Sequence, residues 1–475
     1  MVRGPPQKDL SALRYVSTRG EAPELEFEDV LLTGLARDGG LYVPAEWPKF
    51  SQSELLALRG RPYTEVAFAV IQKFAGDAVP EADLKSMIEG AYGAFGHAAV
   101  TPLKQLDADQ WLLELFHGPT LAFKDVAMQF LARVMDWALE RRKLKATIVG
   151  ATSGDTGGAA IEAFKASRHA SLFILHPKGK VSEVQRRQMT TVISPSIHNI
   201  ALEGTFDDCQ AILKTLFNDH AFRDQVTLAG VNSINWARIM AQIVYYVAAA
   251  LALSAPGRLA NFTVPTGNFG DIFAGLVAKR MGAPIGRLVI ATNDNDILDR
   301  TLKTGRYEVK GVKPSSSPSM DIQVSSNFER LLFEAYGRDA GAIRGLMAGL
   351  AQSGAFTIED KPLQAIRAEF TSGATTMEET AAEISRTLKE TGELLDPHTA
   401  VGYAVARKER GYLGPMITLA TAHPAKFPDA VEAAAGVRPG LPPRLAPLMM
   451  ADEKVSVLAN DPEAVKAFIL ERVAG

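Results

Sequence analysis

The apolar positions of this chain change their period near residue 97, and the two regimes predict two kinds of architecture. Before that point, apolar residues recur at helical spacing over 53–58, 66–74 and 81–92. Asp38-Gly39-Gly40 reads as a turn, and Leu41-Tyr42-Val43-Pro44 as a short extended piece. After it, apolar runs at 111–116, 146–149, 172–175, 197–202, 262–264 and 288–291 are each followed by a helical stretch. That alternation predicts parallel sheets covered by helices. Thr205-Phe206-Asp207-Asp208 reads as a capping box with Asp in the place of the usual Glu or Gln. Further on, 313–319 reads as a mobile surface loop, 360–395 as charged and helical, and 413–419 as the last core strand. A proline-broken tail, 439–447, precedes a closing helix. No internal repeat is visible.

Composition narrows the class without naming an activity. A chain of 475 residues exceeds one simple core, so two or three domains are expected. Hydrophobic content of 47% is ordinary for a globular protein, and a net charge of −3 carries no basic footprint for nucleic acid. Cys209 stands alone, which excludes an internal disulfide and a cysteine-based zinc site. The most apolar stretch, 239–253, falls short of the ~20 residues that span a bilayer, so a buried helix is expected there. Residues 1–7 lack an export pattern, and a cytoplasmic location is expected. No histidine pair has metal spacing, so no catalytic metal is expected.

Chemistry is concentrated around Lys124. The run 111–116 is broken by Gly118 and Pro119, and a helical pattern starts at about Asp125. Lys124 thus sits at a strand–loop–helix junction near the positive end of a helix dipole, disfavoured by roughly 0.3–1 kcal/mol if exposed. Apolar neighbours and the helix N-terminus both favour the neutral amine, the form that makes a Schiff base. A solvated lysine at a helix start would be the ordinary reading. Two further loops change it: Gly150-Ala151-Thr152-Ser153-Gly154-Asp155-Thr156-Gly157-Gly158 and Pro265-Thr266-Gly267-Asn268-Phe269-Gly270-Asp271. Both follow apolar runs and precede helices, a geometry that offers backbone N–H groups to anions. One lysine with two anion cradles suggests pyridoxal 5'-phosphate and an anionic substrate.

These three stretches, in this order, resemble the threonine synthases, in the longer form found in many bacteria and fungi. So do Glu203-Gly204-Thr205-Phe206-Asp207-Asp208, Asn232-Ser233-Ile234-Asn235-Trp236-Ala237-Arg238, the string from Ser319-Met320-Asp321 to Asn327-Phe328-Glu329-Arg330, Asp396-Pro397-His398-Thr399-Ala400, and Thr421-Ala422-His423-Pro424-Ala425-Lys426-Phe427. The resemblance runs from about residue 14 to about 435. It implies a fold type II (tryptophan synthase β-like) α/β enzyme with two open parallel-sheet domains and an N-terminal, mainly helical region. The implied divisions are 1–96 for that region, 97–145 with 205–450 for the large cofactor-binding domain, 146–204 for a small mobile α/β domain, and 451–475 for a C-terminal helix.

By the same resemblance, Lys124 holds the cofactor and shuttles the proton. Gly267, Asn268, Phe269, Gly270 and Asp271 bind the cofactor, chiefly its phosphate, and Thr421 faces its pyridine nitrogen. Thr152, Ser153, Gly154, Asp155 and Thr156 form a loop that closes on the substrate carboxylate. Thr156, Ser233, Asn235 and Arg238 are matched to the substrate phosphate, for which arginine's planar fork is well suited. Asp155 departs from the Asn that many fold type II enzymes use at the cofactor's 3'-oxygen; a plain helix N-cap is its other reading. Lys178 and Arg187 read as solvated surface, and His117 and His423 as hydrogen-bonded structural histidines.

The implied reaction converts O-phospho-L-homoserine and water to L-threonine and phosphate, in a monomer or homodimer without nucleic-acid or membrane partners. A phospho-lyase giving 2-oxobutanoate is the nearest alternative. A threonine dehydratase is disfavoured by Arg238 and Ser233. A non-catalytic phosphate-binding protein is the remote alternative, and no Gly-Lys-Ser/Thr follows either loop to support a nucleotide site.

Overall fold

Two open sheets carry the chain, and their parallel strands place the Lys124 loop and the two glycine-rich loops at strands' C-terminal ends. The computed structural model describes residues 13–253 and 258–473; the expectation about residues 1–7 lies outside them. The larger sheet has six strands in the order Phe370–Ala374, Ile285–Thr292, Ala260–Pro265, Met416–Ala420, Gln110–Glu114 and Leu103–Gln105. All its pairs are parallel except the last. The smaller sheet runs Ser456–Leu458, Ile197–Leu202, Ala170–Pro177, Ala146–Ala151, Leu228–Ala229, and its pairs are parallel. Each predicted strand of the alternating region is present. Their apolar runs are continuous because both faces are covered by helices.

The helix Trp236–Leu253 lies at the centre. It is long and apolar enough to cross a membrane, but 83% of it is buried inside the protein. Its Trp236 collects Tyr15, Trp47 and Phe74 at ring-centroid distances of 6.1, 6.0 and 5.6 Å. Aromatic clusters at these separations gain roughly 0.5–1.5 kcal/mol per pair beyond area burial. They dock the N-terminal region, which consists of helices at Phe27–Thr33, Gln52–Leu58, Tyr63–Ala75 and Glu81–Tyr92 and an antiparallel pair Tyr15–Ser17 with Tyr42–Pro44.

Four sequence expectations need correcting. The smaller sheet's layer does not stop at residue 204. Cys209, Ile212, Leu213 and Leu216 of the helix Phe206–Asn218 share a core with Val149, Phe173 and Ile200 of that sheet. Amphipathicity told that this helix has a buried face, and not which sheet would cover it. The closing helix is present at Pro462–Val473 but is not a separate unit: Ser456–Leu458 adds a strand beside Ile200–Leu202, and Val465 and Ile469 enter the same core. The stretch 360–395 is interrupted by the edge strand Phe370–Ala374, whose Thr-Ser-Gly centre gives no apolar signal. Finally, 313–319 is not a free surface loop. Asn293 Nδ2 donates to Ser315 and Ser317 Oγ at 2.8 and 3.0 Å, and Ser317 is buried. The capping box at Thr205 and Asp208 is present as read.

The helices Trp236–Leu253 and Gly270–Arg280 approach closely at Gly275, where a Cβ would lie 2.8 Å from the Tyr246 ring. Tyr246 is fully buried and cannot swing away. Gly275→Ala is expected to lower stability by about 1–3 kcal/mol through overpacking, read as a lower thermal midpoint with unchanged secondary structure.

Candidate active site

The two sheets present their strand ends to one crevice, the place where open α/β sheets bind ligands. From the larger sheet come Lys124, the Gly267–Gly270 loop and Thr421. From the smaller sheet come the Thr152–Asp155 loop and the turn leading to Arg238. Lys124 is the first residue of the helix Lys124–Arg142. Its loop is stitched to the one bearing Thr421: Phe123 N donates to Thr421 O at 2.8 Å and His423 N to Leu121 O at 3.0 Å. Lys124 is 8% exposed, and its Nζ lies 3.4 Å from Ser319 Oγ and 3.6 Å from Asp155 Oδ2. Burial pulls its amine below the usual lysine range, with Arg238 and Lys426 adding to the effect and Asp155 opposing it.

The phosphate loop is built tightly. A Cβ at Gly267 would meet Ser319 O at 2.7 Å, so the segment Pro318–Met320 requires glycine there. Phe269 adopts a left-handed φ of 63°, and it gives no side-chain cap to the helix Gly270–Arg280. That helix therefore starts without a side-chain acceptor, as an anion site needs. The loop is braced from outside by Ser325 Oγ, which donates to Gly267 O at 2.7 Å. Asn327 donates to Asn268 O from its backbone N at 3.0 Å and its Nδ2 at 2.9 Å. Arg330, fully buried, bonds Asn327 Oδ1, Ile234 O and Tyr42 O, and so ties the brace to the N-terminal region.

Asp271 accepts from Tyr245 and Tyr246, while its Oδ2 is buried with no hydrogen-bond partner among the described residues. Burial pushes its carboxyl up to about 6, against the lowering effect of both tyrosines and Lys124. Arg238 is 3% exposed. One guanidinium N–H donates to Val231 O at 3.3 Å, and its Nε is buried with no hydrogen-bond partner among the described residues. Burial lowers its pKa to about 10. An arginine buried without a carboxylate is costly, and an entering anion removes that cost.

Some expected residues serve the framework. Thr152 Oγ1 accepts from Gly154 N and Gly157 N at 2.9 Å each, shaping its own loop. Asn235 is fully buried; its Nδ2 donates to Leu31 O at 2.8 Å and its Oδ1 caps Ala237 N at 2.9 Å. It thus fixes the helix start that carries Arg238. Ser233 Oγ accepts from Asn327 Nδ2 at 3.4 Å. Ser153 and Thr156 are half-buried on the crevice loop and its helix, and Thr421 is buried. His117 pairs with Glu114 at 2.7 Å, and His423 accepts from Ala425 N at 3.1 Å. Lys178 and Arg187 pair with Glu203 and Glu183 at 3.4 and 3.3 Å.

Sequence reasoning missed Lys426, Gln185, Ser319 and His398 as site residues. Lys426 is fully buried and lies 2.9 Å from Asp155 Oδ1, which also accepts from Gln185 Nε2 at 2.9 Å. Ser319 N donates to His398 Nε2 at 3.2 Å, while His398 Nδ1 faces Asp396 Oδ1 at 2.9 Å. Three of the four stand in the strings quoted for the resemblance. Gln185 had a signal of its own, since Ser182 and Gln185 form a capping box.

A buried lysine of lowered basicity, a braced glycine loop before an uncapped helix and a buried hydroxyl at Thr421 fit pyridoxal phosphate. Comparison with known proteins agrees. The chain matches the families described as Threonine synthase N terminus over residues 14–92, Pyridoxal-phosphate dependent enzyme over 94–346, and Threonine synthase, C-terminal over 399–469. It is 53% identical to the threonine synthase of Pseudomonas aeruginosa over 459 residues, covering 96% of this chain and 98% of that one. The crystal structure of a PLP-bound threonine synthase from Brucella melitensis is 60% identical with a TM-score of 0.95, covering 98% of this chain and 100% of that one. The yeast threonine synthase structure is 38% identical with a TM-score of 0.92, over 97% and 99%.

Two outcomes are expected. Asn327→Ala unties the phosphate loop and should weaken affinity for pyridoxal phosphate by about tenfold or more, measured by absorbance titration. Asp271 has a folded pKa raised above its unfolded value, so its contribution to apoprotein stability is present below about 4 and is lost as pH rises toward 6. Denaturant unfolding of Asp271→Asn apoprotein should therefore lose less stability between about pH 4.5 and 7 than the parent, by roughly 2 kcal/mol.

Proposed function

The chain belongs to the threonine synthase family, and on that footing we propose that it converts O-phospho-L-homoserine and water to L-threonine and phosphate, with pyridoxal phosphate held on Lys124. The observation that carries the substrate assignment is Arg238, buried, short of a partner and close enough to Lys124 to lower its basicity. A substrate bearing a second phosphate supplies what this guanidinium lacks.

Bound pyridoxal phosphate supplies an electron sink for charge left on the substrate carbon next to the amine. The rest is done by the chain. Gly267, Asn268, Phe269 and Gly270, with the N-terminus of the helix that follows, would hold its phosphate, and Thr421 its ring nitrogen. Lys124, whose buried amine is more readily neutral, takes the Cα proton and returns protons later. Arg238 with Ser233 and Thr156 orients the substrate phosphate and steadies it as it leaves. The Thr152–Asp155 loop would receive the carboxylate through the backbone N–H groups of Ser153 and Asp155, since those of Thr152 and Gly154 are used on Leu175 O and Thr152 Oγ1. Bridged to the larger sheet through Asp155, it keeps water out until the β-carbon is ready for it. A cytoplasmic location and a monomeric or homodimeric state complete the proposal.

Phosphate, threonine and 2-oxobutanoate should be followed together with O-phospho-L-homoserine as substrate. Equal phosphate and threonine is the expected result; phosphate with mostly 2-oxobutanoate would make the chain a phospho-lyase, and no phosphate from cofactor-loaded protein would overturn the substrate. Arg238→Met should retain the cofactor's visible band while kcat/KM falls by about 10²-fold or more.

A further inference from the structure

We propose that Lys426 is a positioning residue of this reaction: it fixes Asp155 as a charged acceptor beside Lys124 and locks the loop carrying Asp155 to the loop carrying Lys124. The proposal rests on Lys124 being the cofactor lysine and assigns a role to a side chain that does not itself touch the reacting atoms.

The geometry around Asp155 is all donors. Its Oδ1 takes Lys426 Nζ and Gln185 Nε2, each at 2.9 Å, and its Oδ2 faces Ser319 Oγ at 3.4 Å and Lys124 Nζ at 3.6 Å. A proton on Oδ1 would be set against the Lys426 ammonium and the Gln185 amide N–H, neither of which can accept it. The charged and titratable groups facing it are Lys426, Lys124 and His398. Burial works against its charge, but together with Gln185 these hold the carboxyl well below the usual range. Position 155 therefore draws a proton toward Lys124 instead of giving one.

Lys426 is also a three-way clasp. Its ammonium is fully buried; it donates to Thr120 O at 2.7 Å and Gln188 Oε1 at 2.9 Å and pairs with Asp155 Oδ1 at 2.9 Å. Gln188 Nε2 adds a bond to the same Thr120 O at 3.0 Å, and Ser182 Oγ donates to Lys426 O at 3.2 Å. Thr120 begins the loop to Lys124 on the larger sheet. Asp155, Ser182 and Gln188 lie on or at the start of helices covering the smaller sheet. One ammonium thus sets the register between the two halves of the crevice, and neither charge of the pair is buried alone.

The test uses cofactor-loaded protein and the variants Lys426→Met, Lys426→Arg, Asp155→Asn and the Lys426→Met/Asp155→Asn double. In Lys426→Met, borohydride reduction should still link the cofactor to Lys124, and kcat should fall on the order of 10²-fold with KM moving much less. Beyond the signal of buried Asp125 and Asp271, which titrate near 6 in every variant, infrared difference spectra between about pH 5 and 9 should gain a protonated-carboxyl band that the double variant lacks and Lys426→Arg does not show. If Lys426→Met is too unstable to isolate, thermal midpoints decide: the double variant should unfold above Asp155→Asn, which leaves a buried ammonium unpaired. No carboxyl band beyond that of the parent in folded Lys426→Met, or a double variant below Asp155→Asn, would overturn the proposal. A reduced adduct mapped away from Lys124 would overturn the cofactor assignment and, with it, this proposal.

Discussion

Three buried cations share the crevice, and their charge has to be answered. Lys124, Arg238 and Lys426 are each less than a tenth exposed, and the carboxylate in contact with both lysines is Asp155. Isolated charges out of water cost several kcal/mol each even after relaxation. The protein answers part of this internally, with Asp155 between two lysines and carbonyl and amide oxygens around Lys426. The remainder is unanswered within the protein: Arg238 has no carboxylate partner among the described residues, and the glycine loop leads into a helix with no side-chain cap. In the proposed function a cofactor phosphate and a substrate phosphate close the balance, and specificity for a doubly phosphate-bearing assembly then rests on electrostatics before any shape argument.

Such a site is useful only if its loops hold still, and the bracing comes from regions with no chemistry of their own. Asn327 holds Asn268, Arg330 holds Asn327, and Tyr42 of the N-terminal region accepts from Arg330. Glu329, next in the chain, accepts from Thr18 at 2.6 Å and pairs with Arg19 at 3.0 Å. Leu31 O receives Asn235, which starts the helix bearing Arg238. The N-terminal region is thus part of the machinery, because two of the three anion-facing elements are positioned by its backbone.

Much of this was legible in the sequence. Apolar runs separated by helical stretches gave the parallel strands because strands buried on both faces must be apolar throughout. Lys124 and the glycine-rich loops were legible because a strand–loop–helix junction exposes N–H groups wherever it occurs. Local signals such as Thr205 with Asp208 also held, since a capping box closes within four residues.

What the sequence could not decide is which distant groups meet. The edge strand at Phe370–Ala374 has too few apolar residues to be read alone and exists because Ile285–Thr292 offers it a partner. The segment ending at Ser319 looked like a loop and became a wall of the site because Asn293 and Gly267 receive it. Asp155 could be read as a helix cap or as a cofactor contact; its charge state depends on Lys426, 271 positions away in the chain and 2.9 Å away in space. Local sequence by itself determined the elements and the placing of Lys124 at a strand–loop–helix junction, because backbone propensity and burial period act over a few residues. Tertiary structure decided the ionisation and the pairing of the buried polar groups, because Coulomb energies and hydrogen bonds depend on distances that only the packed chain defines.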